Sequence, residues 1–268
     1  MKEEIAIITK AGLADNPSRL KVIEALENEG SFDVYEIGID DVVESDTPLA
    51  VVFGGDGTML EAVRMTEGKN VALLGVNLGN LGFLTACEKD APTDEVLRLI
   101  KTRKCVERML LDVSVCGKRF AALNEIVLKG ANSRPIFVDF SIDGRFVDSY
   151  HSDGAIVSSP TGSTAYSLSA GGPVLAPDVK ALVVNPICAH SLHSRPLVVG
   201  SDASVTLTLH GAENANVFVD GRHIASLRDG DCVKVAKSLN TAKFVTSDND
   251  DFYKKLLQKM NVWGVTAK

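Results

Sequence analysis

No two of the five cysteines, at positions 87, 105, 116, 188 and 232, are spaced Cys-x-x-Cys. An odd count without such a pair argues against a disulfide framework and against a zinc knuckle. Five reduced, mostly buried thiols in a cytosolic protein are expected instead. No uninterrupted apolar run approaches the ~18 residues that would cross a bilayer. The N-terminus, Met1-Lys2-Glu3-Glu4, is charged and lacks the apolar region of a signal peptide. The expectation is a soluble, cytoplasmic protein with no membrane partner. Positive charge is not in excess either: 28 Lys and Arg stand against 35 Asp and Glu, a formal net charge of −7. A nucleic-acid partner, which wants a basic face, is therefore not expected. A phosphorylated small ligand stays open, because a few backbone amides hold phosphate without changing net charge.

What is present is ordinary globular material: 268 residues, 45% hydrophobic and 24% charged. That composition excludes disorder, collagen and coiled coil as descriptions of the whole chain. A chain near this size buries roughly 75% of its surface and needs no staples. The first hundred residues alternate between strand-like and helix-like stretches. Ile5 to Thr9 reads as a buried strand, and Asn16-Pro17 as an N-cap followed by proline at the first helical position. Leu20, Ile23 and Leu26 share one face of that helix, which Gly30 would stop. Phe32–Ile37, Leu49–Phe53 and Val71–Gly75 read as further strands, with helices at about 58–67 and 92–101. This rhythm predicts a parallel sheet with helices against it.

After about residue 105 short strand-like runs follow in quick succession. Cys116-Gly117, Asp143-Gly144, Asp220-Gly221 and Asp229-Gly230 part them, the last three as hairpin signals. Stretches such as Val205–Leu209 and Cys232–Val235 point to a β-sandwich-like domain. One helix is expected at Ser163–Ala170 and a last one at Asp250–Met260. The expected fold is an α/β domain over 1–104 joined to a β-rich domain over 105–249. The C-terminal helix, 250–268, would pack back on the first domain. The crevice between the two domains is the expected site.

Two glycine-rich segments lie at the carboxyl ends of adjacent predicted strands, where ligands collect in parallel sheets. In Gly54-Gly55-Asp56-Gly57-Thr58 the glycines let the backbone come close to a ligand, and the following helix start suits phosphate oxygens. A carboxylate facing phosphate is repelled unless it has a task, such as holding Mg²⁺ or taking a proton from an attacking hydroxyl. Otherwise Asp56-Gly57 is an ordinary turn. The second segment is Gly75-Val76-Asn77-Leu78-Gly79-Asn80-Leu81-Gly82-Phe83. Neither segment is a Walker A loop or a G-x-G-x-x-G dinucleotide fingerprint.

From Asp153 to Pro173 the chain reads DGAIVSSPTGSTAYSLSAGGP. Serine, threonine and glycine crowd together around Pro160-Thr161-Gly162-Ser163-Thr164, where hydroxyls and amides would form a donor-rich rim. Tyr166 would stack on a base, or else fill the core. His190-x-x-His193 lacks a third ligand, so no metal is expected there; those histidines would cap a loop or serve an interface.

Together these residues resemble the NAD kinase family. The Asp153–Pro173 run is the specific signal. Asn124-Glu125 and the stretch from Asn185-Pro186-Ile187-Cys188 through Arg195-Pro196-Leu197 also match it in order. The resemblance implies transfer of the terminal phosphoryl group of ATP to the 2′-hydroxyl of the adenosine ribose of NAD, giving NADP. It implies that Asp56 is the catalytic carboxylate and that Gly57 lines the same site. It further implies NAD contacts at Asn124, Glu125, His151, Asp153, Thr164, Ala165, Tyr166, Ser167, Leu168, Ser169 and Arg222. Gly54, Gly55, Gly57 and Thr58 would hold the phosphate donor. Mg²⁺ is implied because the chain shows no lysine cluster to neutralise a triphosphate. A homo-oligomer, a tetramer or dimer, is expected, with the NAD site drawing on a neighbouring subunit. Three positions depart from the family pattern: His151 stands where many members have arginine, Arg222 where many have glutamine, and Ala189 where proline often precedes the histidine.

Two other readings keep the glycine–aspartate turn. A lipid kinase would need a basic or apolar membrane-facing stretch, which is not evident. A non-enzymatic nucleotide sensor would be marked by loss of the Asp56 side chain, which is present. ATP against polyphosphate as donor, and NAD against NADH as acceptor, stay open.

Overall fold

The computed structural model describes residues 2–264 other than 39–40, 42, 45–46, 133, 192, 212–213 and 248–250, with backbone alone for 261–264. It divides into two compact units, Met1–Glu107 with Ala242–Lys268, and Arg108–Thr241.

The first unit begins β1 (Glu3–Thr9), α1 (Pro17–Asn28), β2 (Phe32–Ile37), β3 (Leu49–Gly54), α2 (Asp56–Met65), β4 (Ala72–Asn77) and α3 (Thr93–Thr102). Strand order is β2-β1-β3-β4, all parallel. Both β3 and β4 are buried at every position, as strands covered on two faces are, with Asn77 at the end of β4 the one polar residue among them. On one side of the sheet Ile5, Ile7, Leu49, Val51 and Leu74 pack with Val22 and Leu26 of α1 and Val96, Leu99 and Ile100 of α3.

Asn16 caps α1, its side chain accepting from the Ser18 and Arg19 N–H groups, and Pro17 takes the first position. Of the expected face of α1, Leu26 is buried and Ile23 packs against the core, but Leu20 is 47% exposed, and Arg19 and Val22 are buried instead. The helix is rotated because Arg19 has partners waiting: Nε donates to Thr9 Oγ1 at 2.9 Å, one terminal nitrogen to the Ala14 carbonyl at 2.6 Å, and the other meets Glu36 at 2.5 Å. A buried charge so paired avoids the desolvation cost that would exclude it.

The second unit runs through β5 (Cys105–Val115), β6 (Lys118–Ala122), β7 (Glu125–Gly130), β8 (Ile136–Ile142), β9 (Arg145–Ser152) and β10 (Gly154–Ser158). A 3₁₀ turn (Thr161–Thr164) and a single helical turn, α4 (Tyr166–Ser169), follow. Next come β11 (Ala181–Ile187), β12 (Leu197–Gly200), β13 (Val205–His210), β14 (Ala215–Val219), β15 (Arg222–Leu227) and β16 (Cys232–Val245). One sheet has the order β12-β11-β10-β7-β14-β15 and is antiparallel throughout. The other places β13 and β8 between β16 and β9. Alternate residues of both sheets share one core, among them Leu128, Val157 and Val184 from the first and Val138, Leu207 and Val233 from the second. That is a sandwich. The end of β16 crosses to the first unit, where Lys243 and Phe244 lie parallel to Ala72 and Leu73 of β4. The chain then closes with α5 (Phe252–Gly264).

Three turns carry two consecutive residues at positive φ: Cys116-Gly117 (48°, 74°), Asp143-Gly144 (51°, 75°) and Asp220-Gly221 (45°, 80°). These are the dihedral signs a two-residue hairpin needs. Asp229-Gly230 is not a hairpin turn. Only Gly230 has positive φ, at 82°, and the strands it joins, β15 and β16, lie in different sheets.

The helix expected at Ser163–Ala170 is broken at Ala165, whose φ of −98° and ψ of −128° are not helical. The Ser163 hydroxyl fixes the 3₁₀ turn before the break, donating to the Pro160 carbonyl at 2.6 Å and accepting the Leu175 N–H at 2.9 Å. The thiols are not mostly buried. Cys87 alone is, while Cys105, Cys116 and Cys188 are exposed and Cys232 is intermediate. Cys116 and Cys188 sit in turns at φ 48°, which puts them on the surface. Asp250, the expected start of the last helix, lies outside the described residues.

Candidate active site

In the first unit β3 delivers the chain to Gly54-Gly55 at its carboxyl end. Gly55 is the extended N-cap of α2. Asp56 is thus the first helical residue and not the apex of a turn. Its carboxylate sits at the positive end of the helix dipole and is one-third exposed. Oδ2 accepts the Phe83 N–H and Oδ1 the Leu84 N–H, both at 3.0 Å. Lys259 of α5 brings its ammonium to 3.2 Å from Oδ2 and to 4.2 Å above the Phe83 ring.

The loop after β4 is therefore the partner of Asp56. Asn77, fully buried, shapes it: the side-chain amide donates to the Asn80 carbonyl at 2.6 Å, and Oδ1 accepts the Gly79 N–H at 2.9 Å. Leu78 N–H reaches the Gly54 carbonyl at 3.3 Å, so the two glycine-rich segments are tied directly together. Gly82 is required by space: a Cβ there would lie 2.5 Å from Asp56 Oδ1 and 2.9 Å from Thr85 Oγ1. Gly54 is required for the same reason, against the buried Thr58 side chain. At Gly55 and Gly57 a Cβ would meet nothing within 4 Å, leaving open space over the helix start.

In the second unit Asn124 and Glu125 open β7. Three consecutive backbone N–H groups, of Leu123, Asn124 and Glu125, converge on the Asp220 carboxylate at 2.7, 2.8 and 3.1 Å. Asp220 N–H returns a bond to the Glu125 carbonyl at 3.0 Å. Gly162 packs flat on the backbone of Asn124, where a Cβ would collide with the Asn124 carbonyl. Glu125 is 6% exposed. Burial, and then the Asp220 carboxylate, push its carboxyl up to about 8, while the Tyr166 backbone N–H bonded to it acts the other way. Its Oε2 is buried and has no hydrogen-bond partner. Tyr166 packs beside Val127, Ile156 and Ile187. Thr164, Ala165 and Leu168 are half-buried, and Ser169 is exposed. Ser167 is fully buried, facing Gly172, and the Asn185 amide donates to its carbonyl at 3.0 Å. The donor-rich rim is thus partly turned inward: the Ser163 hydroxyl and that of Thr164 bond backbone carbonyls of their own turn.

Asp153 sits at the far end of β10 from Glu125. Glu125 pairs with Ser158, and Gly154 with Lys129, so Asp153 and Glu125 lie roughly 17 Å apart along the strand at ~3.4 Å per residue. His151, at the end of β9, stacks on Phe137 with ring centroids 4.3 Å apart and meets the edge of His190 at 4.7 Å. The His190 backbone N–H donates to the His151 carbonyl at 2.8 Å. Arg222 begins β15 directly after the Asp220-Gly221 turn and is exposed. Among the described residues, no three His, Cys, Asp or Glu side chains cluster as metal ligands.

Residues 7–104 match the ATP-NAD kinase N-terminal domain, and residues 123–247 the ATP-NAD kinase C-terminal domain. An NAD kinase of Moorella thermoacetica is 40% identical over 233 residues, 84% of this chain and 74% of that protein. An NAD kinase of Citrifermentans bemidjiense is 38% identical over 231 residues, 83% of this chain and 80% of that one. This chain belongs to the NAD kinase family. The fold agrees. Yeast NADH kinase complexed with NADH superposes with a TM-score of 0.85 at 24% identity, over 100% of this chain and 89% of that one. An NAD kinase from Archaeoglobus fulgidus in complex with ATP gives 0.81 at 24% identity, over 96% and 98%.

The NAD kinase matches take in both glycine-rich segments and every site residue expected in the second unit. They end at residue 247, before α5 and Lys259. Three parts of the geometry have no mark in the sequence. Asp220 reads only as a turn residue, although its carboxylate organises a segment 95 positions earlier. Phe83 and Leu84 act through backbone N–H groups, which carry no side-chain signature. Lys259 is one lysine on an amphipathic helix, and nothing local ties it to Asp56.

Proposed function

We propose that this chain transfers the terminal phosphoryl group of ATP to the 2′-hydroxyl of the adenosine ribose of NAD, giving NADP and ADP, with Asp56 as catalytic carboxylate. The observation that carries the reading is the setting of Asp56: one carboxylate, at a helix start and the carboxyl end of a buried strand, oriented by two N–H groups of the neighbouring loop. A side chain so held can orient a hydroxyl and accept its proton. The ribose oxygen then bonds to the terminal phosphorus, the bond to the ADP oxygen breaks, and the hydroxyl proton passes to Asp56. Such transfer asks chiefly for positioning and charge stabilisation. The helix start, with Gly54, Gly55, Gly57 and Thr58, would receive the donor phosphates.

Asn124, Glu125 and the 164–169 segment would take the adenosine part of NAD. The unpartnered Glu125 oxygen is a buried acceptor that a ribose hydroxyl can satisfy. Asp153 and His151, a strand length away, would meet the nicotinamide end, and Arg222 lies at the Asp220 turn. Among the described residues Asp56 has no ligand cluster around it, which suits Mg²⁺ that arrives on the nucleotide, since Mg²⁺ keeps waters and substrate phosphates as ligands. Held by those phosphates and by water, the ion would neutralise phosphate charge. We place the enzyme in the cytoplasm as a homo-oligomer, a tetramer or dimer. The test is Asp56→Asn. It is expected to fold, to bind NAD within about tenfold, and to form NADP at least ~100-fold more slowly, the low end for loss of a positioned base. Near-parental turnover would return Asp56 to a structural role. A donor panel of ATP and polyphosphate, each with NAD and NADH, settles the substrates.

A further inference from the structure

Three described residues of the C-terminal helix reach Asp56 and the loop after β4. Phe252 sets its ring 5.9 Å from that of Phe83. One helical turn on, Lys255 donates to the Thr85 carbonyl at 2.8 Å. One turn further, Lys259 reaches Asp56 Oδ2 at 3.2 Å and lies over the Phe83 ring at 4.2 Å. The spacing of 252, 255 and 259 is that of one helix face. Its targets, residues 83–85 and Asp56, are the loop that supplies two N–H groups to the carboxylate and the carboxylate itself.

We infer that Lys259 is a positioning residue for the phosphoryl transfer, acting through Asp56. This rests on the reading of Asp56 as the catalytic carboxylate. A carboxylate offers about four lone-pair positions. Phe83 N–H, Leu84 N–H and the Lys259 ammonium occupy three of them. The position left over is the one at which a hydroxyl can be received, so the three donors together fix both the plane of the carboxylate and its open side. Of the three, two are backbone groups that the fold supplies whatever the side chains. Lys259 is the one that substitution can remove. Its side chain is three-quarters buried and is held from a second direction by the Phe83 ring, so it is an ordered partner and not a loose surface charge. Among the described residues the ammonium is also the one side-chain cation paired with Asp56, in a chain whose sequence offers no lysine cluster at the glycine turns.

The experiment is a double-mutant cycle on the full-length enzyme, using Lys259→Met, which keeps the stem against Phe83, and Asp56→Asn. Lys259→Met is expected to lower kcat by ~10-fold or more, since displacement of a reacting group by about 1 Å can cost ~10²-fold. The KM values for NAD and ATP should stay within about threefold, and Lys259→Arg should restore most of the rate, because a guanidinium can keep both the carboxylate and the ring. In the Asp56→Asn background Lys259→Met should change nothing further, because its effect runs through the carboxylate. Parental kcat for Lys259→Met overturns the inference. So does an equal loss in both backgrounds, which would mean that Lys259 touches the phosphates on its own account. A loss that Lys259→Arg does not restore, accompanied by a lowered melting temperature, overturns it in favour of a purely structural helix contact. Parental turnover of Asp56→Asn alone is a different result: it removes the catalytic reading of Asp56 and this inference with it.

Discussion

Glu125 is a carboxyl group that folding makes a weaker acid. Its pKa rises from 4.5 to about 8, first because it is buried and then because the Asp220 carboxylate is near. Between those values the folded protein holds a proton that the unfolded chain has released. Stability therefore falls as pH rises from about 4.5 to about 8, and the full cost is present above that window. Glu125→Gln imitates the protonated form. Thermal melts at pH 5 and pH 8 should show little difference between variant and parent at the lower pH and a more stable variant at the higher one. Asp220 is the complementary case, an acceptor for three N–H groups in a row. Hydrogen bonds to a charged group are worth about 1.5–3 kcal/mol each, without simple additivity. Asp220→Ala is expected to lower stability by at least ~2 kcal/mol in urea unfolding and to raise the KM for NAD several-fold. An unchanged KM would show that Asn124 and Glu125 keep their place without it.

At the scale of elements, the 3₁₀ turn after β10 is pressed against the start of β7 through Gly162. A Cβ at that position would collide with the Asn124 backbone, which, unlike the tip of a side chain, cannot swing aside. Gly162→Ala is expected to cost about 1–3 kcal/mol, as overpacking does, and to weaken NAD binding in calorimetry. Gly57→Ala is the control from the other glycine segment: a Cβ there meets nothing within 4 Å, so stability should change by no more than ~0.5 kcal/mol. Any loss of turnover in that variant would report interference with a bound phosphate donor.

For the whole molecule, assembly is the property with a surface to test. β9 is the edge of its sheet, and it presents Phe146 and Val147 to solvent, with Phe137 exposed on the neighbouring β8. An edge strand carrying exposed aromatics is a liability for a monomer unless something covers it. A second copy of the chain is the expected cover. Sedimentation of the parent should give an oligomer, and Phe146→Lys should shift it toward monomer. A parent that sediments as an active monomer at assay concentration would remove the expectation.

The elements of this protein were largely legible because they rest on local rules. An apolar run such as Leu49–Gly54 fits only a strand buried on both faces. Asn16-Pro17 fits a helix start, and Asp143-Gly144 a two-residue turn with both φ angles positive. The α/β half followed by the β-rich half could be read in the same way, and so could the order of motifs that marks the NAD kinase family. The face of α1 was legible only in part: Ile23 and Leu26 face the core as expected, and Leu20 does not. Periodicity selects an apolar stripe, but Arg19 is drawn inward by partners on β1 and β2 that a single helix does not contain. The break at Ala165 was not legible; it lies beside a Ser163 hydroxyl that accepts the distant Leu175 N–H. The sequence names Asp56 as a carboxylate among glycines. Only the tertiary structure gives it Phe83, Leu84 and a lysine 203 positions away, and sets Asp220 under Asn124 and Glu125. Local propensity is written in neighbouring residues, whereas hydrogen bonds across such distances exist only once the chain has closed on itself.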